Sequence, residues 1–189
     1  MKTMWKKFLQ HDIGERIPNL QLEGKPAPYG VLNERAVRAT AGIMFLIGIL
    51  TFFIVQSSKN LLYLYPTVIL FWIQFFIAIV RGPRYAPLSW LGRLLTSNQT
   101  PEYVGAIQKR FAWAIGWVMA SLMLILTLGL QIRGWGIIIC VICLAFMWLE
   151  TAVGYCVGCK IYSALLSKGR IPTPKYKPVC AGGVCSIKK

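Results

Sequence analysis

The chain has 189 residues, 56% of them hydrophobic, and carries a formal net charge of +15 at pH 7. A soluble domain of this length needs a more polar surface, so the composition excludes an ordinary soluble globular protein and indicates a membrane protein. The excess of basic residues alone would permit nucleic-acid binding, but its distribution along the chain has a different explanation.

Residues 1–34 form a polar lead that contains prolines and glycines. A cleaved signal peptide is not expected, because polar and acidic residues follow the basic start where an apolar region would be needed. Residues 2–11 mix lysines with Trp, Phe, Leu and Met, which is typical of a short helix on an anionic membrane surface. A basic start without structure is the alternative. Asn33 is placed to cap a helix that begins near Glu34.

Four uncharged stretches follow, at 39–58, 60–80, 111–132 and 134–149, and the last continues past Glu150 to Cys159. The first three are each long enough to cross a hydrocarbon core of about 30 Å as a helix, and the fourth also spans it if Glu150 lies near one end. The short connections between the first and second stretches, and between the third and fourth, imply two antiparallel hairpins. The predicted fold is therefore all-α, with a four-helix transmembrane domain over residues 35–166.

The two hairpins are joined by residues 81–97, whose leucines share one face with Trp90 nearby. This pattern predicts an interfacial amphipathic helix over 87–96. The hairpins also resemble each other weakly at an offset of 74 residues, at which Gly82 matches Cys156 and Tyr85 matches Cys159. Such a parallel repeat is common among membrane proteins.

Basic residues are concentrated on one predicted side of the membrane. Seven precede the core of the first stretch, five lie between the second and third, and seven follow Cys159, while the other two connections hold only Lys59 and Arg133. The asymmetry predicts a bacterial inner-membrane protein with both termini in the cytoplasm. The same asymmetry explains the net positive charge, so nucleic-acid binding is not needed to account for it. Membrane lipid is the expected partner.

Cys156 and Cys159 stand where the fourth stretch ends, at a spacing that is typical of redox or metal-binding thiols. In a continuous helix the two side chains would share a face. Gly154 and Gly158 could instead break the helix, so that Cys159 opens a second short helix through Leu166, whose N-terminus favours a thiolate. The alternative is a pair of small residues that close a tight helix end.

Residues 167–189 form a predicted flexible, proline-containing cytoplasmic tail that ends with Cys180 and Cys185. Together with Cys156 and Cys159, these thiols fit a tetrahedral zinc site. They also fit a relay in which the tail cysteines exchange thiols with the membrane pair. A third alternative is a tail that has no role in the core function.

Two further cysteines, Cys140 and Cys143, lie inside the fourth stretch and are expected to pack as small hydrophobic residues. Glu150 lies in the same apolar run, where an unpaired carboxylate costs roughly 2.5–3.5 kcal/mol. We therefore expect Glu150 to face the bundle interior and to pair with Arg38 or Arg110, in either a structural or a proton-handling role.

Side-chain haem ligation by two histidines is excluded, because the chain has a single histidine, and no phosphate loop, hydrolase elbow or metalloprotease motif is present. The chain resembles the bacterial membrane family catalogued as domain of unknown function 4395, over about residues 30–166. The block Gly154–Tyr162 is the most specific part of this resemblance. It is also carried by the runs 33–39, 81–88 and 109–112.

Members of that family are joined to, or encoded beside, thioredoxin-like or sulfurtransferase proteins, so the resemblance implies thiol or sulfur chemistry. The leading hypothesis is a thiol-redox or sulfur-relay protein in which Cys156 and Cys159 exchange a disulfide or persulfide, with Glu150 tuning their protonation. A thiolate binder or transporter of zinc or copper is the first alternative. The second is an accessory subunit of a larger membrane complex in which the cysteines are structural.

Overall fold

The computed structural model describes residues 13–15, 21–22, 25–26, 30–130 and 133–170. Within these ranges the fold is mostly helical, as predicted, with two small pairs of antiparallel strands that the sequence analysis missed. β1 (Gln21–Leu22) pairs with β2 (Lys25–Pro26), and β3 (Val31–Asn33) pairs with β4 (Tyr103–Gly105). The surface helix predicted at 2–11 and the tail cysteines lie outside the described residues.

Six α-helices lie in the described part of the chain: α1 (Glu34–Ser58), α2 (Leu64–Val80), α3 (Pro87–Leu95), α4 (Ala106–Leu124), α5 (Arg133–Trp148) and α6 (Val157–Ser167). π-helical turns extend α4 through Gly129 and α5 through Val153. With these extensions, and with the 3₁₀ turn before α2, four helices of the described chain are long and apolar enough to cross a membrane. The four predicted spans are confirmed.

The first span begins where the sequence predicted, because the Asn33 side chain accepts a hydrogen bond from the Arg35 backbone N–H at 3.1 Å. The third span begins earlier than its uncharged stretch. α4 starts at Ala106, directly after β4, so Lys109 and Arg110 lie in its first two turns. Charged side chains are thereby carried into the helical bundle.

The two hairpins pack against each other more extensively than the helices within each hairpin do. α2 lies on α4 and α1 lies on α5. A cluster of buried apolar side chains joins α1, α2, α4 and α5, and it consists of Val55, Leu64, Val68, Ala120, Met123 and Ile139. The short helix α3 packs on α1, and α6 packs on α4.

α3 confirms the predicted interfacial helix. It buries Leu88, Ser89 and Gly92 against the bundle and exposes Trp90 and Leu94, among other apolar side chains, on its other face. A face of this kind suits the boundary between headgroups and lipid chains.

The internal repeat is visible in the order of elements. A strand, two long helices and one short helix occur in that order in each half, and β3 pairs with β4 where the halves meet. The predicted register is corrected, however. Gly82 corresponds to Gly154, since each turns the chain with a positive φ (97° and 69°), and Ala86 corresponds to Cys156, since each is the N-cap of a short helix.

One end of the bundle holds all the features discussed below, and we call it the strand end. Here β3 and β4 pair, α1 and α4 begin, and α2 and α5 finish. The Arg110 Nε donates a hydrogen bond to the Ile79 carbonyl oxygen at 3.0 Å, which ties the start of α4 to the last turn of α2.

Candidate functional site

Four charged side chains meet at the strand end, and two of them, Glu34 and Lys109, are fully buried. We call Glu34, Arg38, Lys109 and Glu150 the charge cluster. The Lys109 ammonium lies 3.0 Å from both carboxylate oxygens of Glu34 and also binds Oε1 of Glu150. Glu34 is only 1% exposed and Lys109 only 2%. One lysine therefore links the first, third and fourth spans, and its two carboxylate partners share a single ammonium.

Arg38 completes the cluster from one turn further along α1. Its Nε lies 3.5 Å from Oε1 of Glu34. Its guanidinium packs directly against Gly154, where an added Cβ would overlap the Arg38 Nη2 atom. The two formal negative and two formal positive charges balance, and the cluster abuts the backbone just before Cys156.

Glu150 pairs with a cation, but its side chain is only partly buried, at 14% exposed, and its partner is neither of the two predicted arginines. Lys109 binds Glu150, whereas Arg38 contacts Glu34 and Arg110 donates to the Ile79 carbonyl oxygen. Consecutive residues of an α-helix point about 100° apart, so Lys109 and Arg110 face different neighbours of α4.

Cys156 and Cys159 form a disulfide in the structure, with their Cα atoms 5.2 Å apart. Gly154 breaks the helix in its left-handed conformation, and α6 begins at Val157 with Cys156 as its N-cap. The predicted break is thus confirmed at Gly154, but Gly158 lies inside α6. The Cys159 backbone N–H donates a hydrogen bond to Sγ of Cys156 at 3.3 Å.

The position of the two sulfurs at the start of α6 makes them chemically unequal. Cys156 precedes the first helical residue and receives a backbone N–H, and the positive end of the helix dipole lies at the same place. Both features favour a thiolate on Cys156 when the pair is reduced. The sequence analysis had assigned this advantage to Cys159.

α6 is held in place by its apolar face. Tyr162 is 1% exposed, and its ring lies 5.5 Å from that of Phe111 on α4, centre to centre. Burial raises the pKa of Tyr162 above its ordinary value, so the side chain stays uncharged at neutral pH. The helix that carries the thiol pair is therefore fixed to the third span.

A protein-family model described as a domain of unknown function (DUF4395) matches residues 32–167, which include the whole charge cluster and the thiol pair. The chain belongs to the DUF4395 family. Searches of curated proteins and of solved structures found no match to it.

A cavity of about 860 Å³ extends between the four spans of this DUF4395 protein. Lys109, Glu150 and Cys156 line it near the strand end, and Cys140 and Cys143 line it deeper in the bundle. The Cys143 Sγ lies 4.0 Å from the sulfur of Met119, a packing contact between α5 and α4. Cys140 and Cys143 are free thiols and lie away from the disulfide.

No group of three or more His, Cys, Asp and Glu side chains among the described residues is arranged to hold a metal ion. The four-thiol zinc hypothesis requires Cys180 and Cys185, which are outside those residues. It also requires Cys156 and Cys159 as thiolates, a state that excludes the disulfide between them.

The sequence analysis of this DUF4395 chain found Cys156, Cys159, Glu150 and Arg38 but missed Glu34 and Lys109. A signal for both was present, because each is a charged residue that precedes an uncharged stretch by no more than five positions and lies inside the span helix itself. A charge at that depth either snorkels to the interface or finds a partner inside the bundle. In the structure Glu34 and Lys109 form a salt bridge with each other.

Proposed function

We propose that this protein is a thiol-exchange protein of the bacterial inner membrane, with Cys156 and Cys159 as its reactive pair and a thioredoxin-like or sulfurtransferase protein as its partner. The observation that carries the proposal is the disulfide at the N-terminus of α6, next to the charge cluster. A pair spaced by two residues at a helix start has the electrostatic setting that lowers a thiol pKa and speeds exchange.

Bonds and electrons balance in the proposed thiol–disulfide exchange without any further reagent. A partner thiolate attacks one sulfur of the Cys156–Cys159 disulfide, an intermolecular disulfide forms, and the other cysteine leaves as a thiolate. The second thiolate of the partner then attacks the intermolecular disulfide and releases the remaining cysteine. Two electrons pass from the partner to the pair, and the reverse sequence uses the same intermediate. With a sulfurtransferase, the Cys156 thiolate takes the outer sulfur of a partner persulfide, and the partner cysteine leaves as a thiolate.

The charge cluster has a positioning role in this proposal. Arg38 packs against Gly154, and Lys109 fixes Glu150 at the end of the fourth span. These contacts hold the segment 154–156 between α5 and α6, where a shift of about 1 Å would move the sulfurs out of bonding geometry. Glu150 supports the thiols through this geometry.

Exchange with a soluble partner places the strand end in the cytoplasm, where most basic residues would also lie. We expect reporter fusions at residues 97 and 170 to give cytoplasmic signals and a fusion at residue 59 to give an external signal. Alkaline phosphatase and green fluorescent protein fusions measure the two sides. An external signal at residue 97 would overturn the proposed orientation.

The proposed exchange is tested in a background with Cys180 and Cys185 replaced by serine, so that the cysteines left are those the structure describes. Purified, reduced protein is mixed with a thioredoxin whose active cysteine carries thionitrobenzoate. We expect the Cys159→Ser variant to release thionitrobenzoate about tenfold faster than Cys156→Ser, because Cys156 holds the better stabilised thiolate.

The matched control carries Cys140→Ser and Cys143→Ser with the 156–159 pair intact, and it should react like the background protein. Gel electrophoresis without reductant should show the trapped intermolecular disulfide in Cys159→Ser. If Cys156→Ser and Cys159→Ser together leave the rate unchanged, or if the control loses the reaction, thiol exchange at this pair is disproved.

A further inference from the structure

The cavity between the spans reaches Cys156 of the thiol pair. Cys156 lines it together with Lys109 and Glu150, and residues of all four spans form its walls. Its volume of about 860 Å³ lies within the range of about 300–1,000 Å³ that is typical of small-molecule sites. A ligand that fills the cavity would therefore lie against both Cys156 and the buried Lys109.

The polar groups of the cavity favour a ligand with hydrogen-bond acceptors. Lys109 has three N–H donors. Glu34 and Glu150 are the acceptors that the described residues provide, and both bind this ammonium. The third N–H is left either to Oε2 of Glu34, which lies 3.0 Å away and takes no hydrogen bond, or to an acceptor on a ligand in the cavity, since Lys109 is too deeply buried for bulk water to serve.

The rest of the cavity favours an aromatic or lipid-like body. Phe71, Phe75, Trp113 and Phe146 contribute ring surfaces to its wall, and Met44 lies among them on α1. Aromatic rings stack on one another, and methionine adapts to irregular apolar groups. The deeper part of the cavity lies among membrane-spanning helices, which favours a ligand that is soluble in lipid.

We infer that the cavity binds a lipid-soluble quinone, and that this quinone is the electron acceptor of the thiol pair. The inference rests on the proposed function, since it assigns the oxidant that restores the disulfide after each exchange. A quinone has a planar ring with two carbonyl oxygens. A carbonyl oxygen can accept a hydrogen bond from Lys109, the ring can stack on the aromatic side chains of the wall, and the molecule fits the volume of the cavity.

The oxidation balances in two steps. The Cys156 thiolate adds to a ring carbon, forming a C–S bond. The Cys159 thiolate then attacks Sγ of Cys156, which forms the disulfide, breaks the C–S bond and leaves the electron pair on the ring. The two protons lost by the thiols are taken up by the two quinone oxygens, and a hydrogen bond from Lys109 stabilises the charge that develops on one of them. One dithiol and one quinone yield one disulfide and one hydroquinone.

Binding is tested apart from electron transfer in the Cys156→Ser/Cys159→Ser double variant in lipid nanodiscs. Titration with decylubiquinone should quench tryptophan fluorescence and reach saturation at one quinone per protein. Ala41 lines the cavity from α1, whereas Ala39 on the same helix does not. Ala41→Phe should raise the Kd by about tenfold, a loss of about 1.4 kcal/mol, and Ala39→Phe should leave it unchanged.

Ile115→Trp fills the cavity from α4 and provides a second variant in case Ala41→Phe fails to fold. Electron transfer is measured in reduced protein that keeps both Cys156 and Cys159. The absorbance of the hydroquinone reports its formation, and a gel shift after thiol alkylation reports oxidation of the pair. Both cavity variants should slow quinone-driven oxidation about tenfold while exchange with glutathione disulfide stays as in the unmodified protein.

The outcomes separate the two proposals. Normal glutathione exchange without quinone binding would overturn the quinone inference and leave the proposed function standing. Saturable quinone binding in a protein whose pair neither exchanges nor is oxidised would overturn both the proposed function and the electron-transfer role. Equal effects of Ala41→Phe, Ile115→Trp and Ala39→Phe would place the quinone elsewhere and overturn the site.

Discussion

Replacing Lys109 with methionine is expected to lower the free energy of unfolding by about 3–5 kcal/mol, because it leaves Glu150 without its cation and leaves the buried Glu34 with only the Arg38 guanidinium. Glu34 and Glu150 both depend on this ammonium, and Glu34 is 1% exposed. Reversible unfolding in mixed micelles of dodecyl maltoside and dodecyl sulfate measures the change. Glu150→Gln should cost less, since it preserves the contact between Lys109 and Glu34.

The matched control is Lys160→Met, because Lys160 is an exposed lysine on α6. Its removal should change stability by no more than about 0.5 kcal/mol. Adding Glu34→Gln and Glu150→Gln to Lys109→Met should restore much of the stability, because uncharged side chains no longer need a cation. If Lys109→Met unfolds at the same detergent ratio as Lys160→Met, the charge cluster does not hold the spans together.

Gly154→Ala is expected to slow thiol exchange strongly and to destabilise the strand end. An alanine in the left-handed conformation costs roughly 1–2 kcal/mol. Its Cβ would also displace the Arg38 guanidinium and so disturb the contact with Glu34. Because the segment 154–156 sets the position of Cys156, the thionitrobenzoate reaction should fall by about a hundredfold.

Gly169 provides a control for the backbone effect alone. It has a similar φ of 66°, but an added Cβ would meet nothing within 4 Å. Gly169→Ala should therefore show the conformational cost and retain thiol exchange. In an Arg38→Ala background, Gly154→Ala should lose the steric part of its effect, which a double-mutant cycle measures. A Gly154→Ala protein with normal exchange would show that the cluster does not position the pair.

The spans could be predicted because their cause is local. An uncharged run of about 20 residues is sufficient for a membrane helix, and the spacing of Cys156 and Cys159 is visible in the chain itself. The pairing of Glu150 with a cation also followed from a single residue in an apolar run, since an unpaired carboxylate there is costly.

The partner of Glu150 could not be predicted, because it depends on how α4 is rotated between α2 and α5. Lys109 and Arg110 are neighbours of the same charge, and only packing directs the first toward Glu150 and the second toward Ile79. The strand pair was missed for a related reason. β3 and β4 have only three residues each, which is too short for a recognisable sequence pattern. They are also separated in sequence by two spans and α3, so their pairing is not a local contact.

The contact between Glu34 and Lys109 also bears on the order in which the protein is built. The two residues are 75 positions apart in sequence. At a synthesis rate of about 5–20 residues per second, Glu34 emerges about 4–15 s before its lysine. During that interval the Glu34 carboxylate of the first hairpin has only Arg38, on its own helix, as a counter-charge. When the third span arrives, Lys109 forms its salt bridge with Glu34 and the carboxylate becomes buried. The packing of the strand end is therefore completed late in biogenesis.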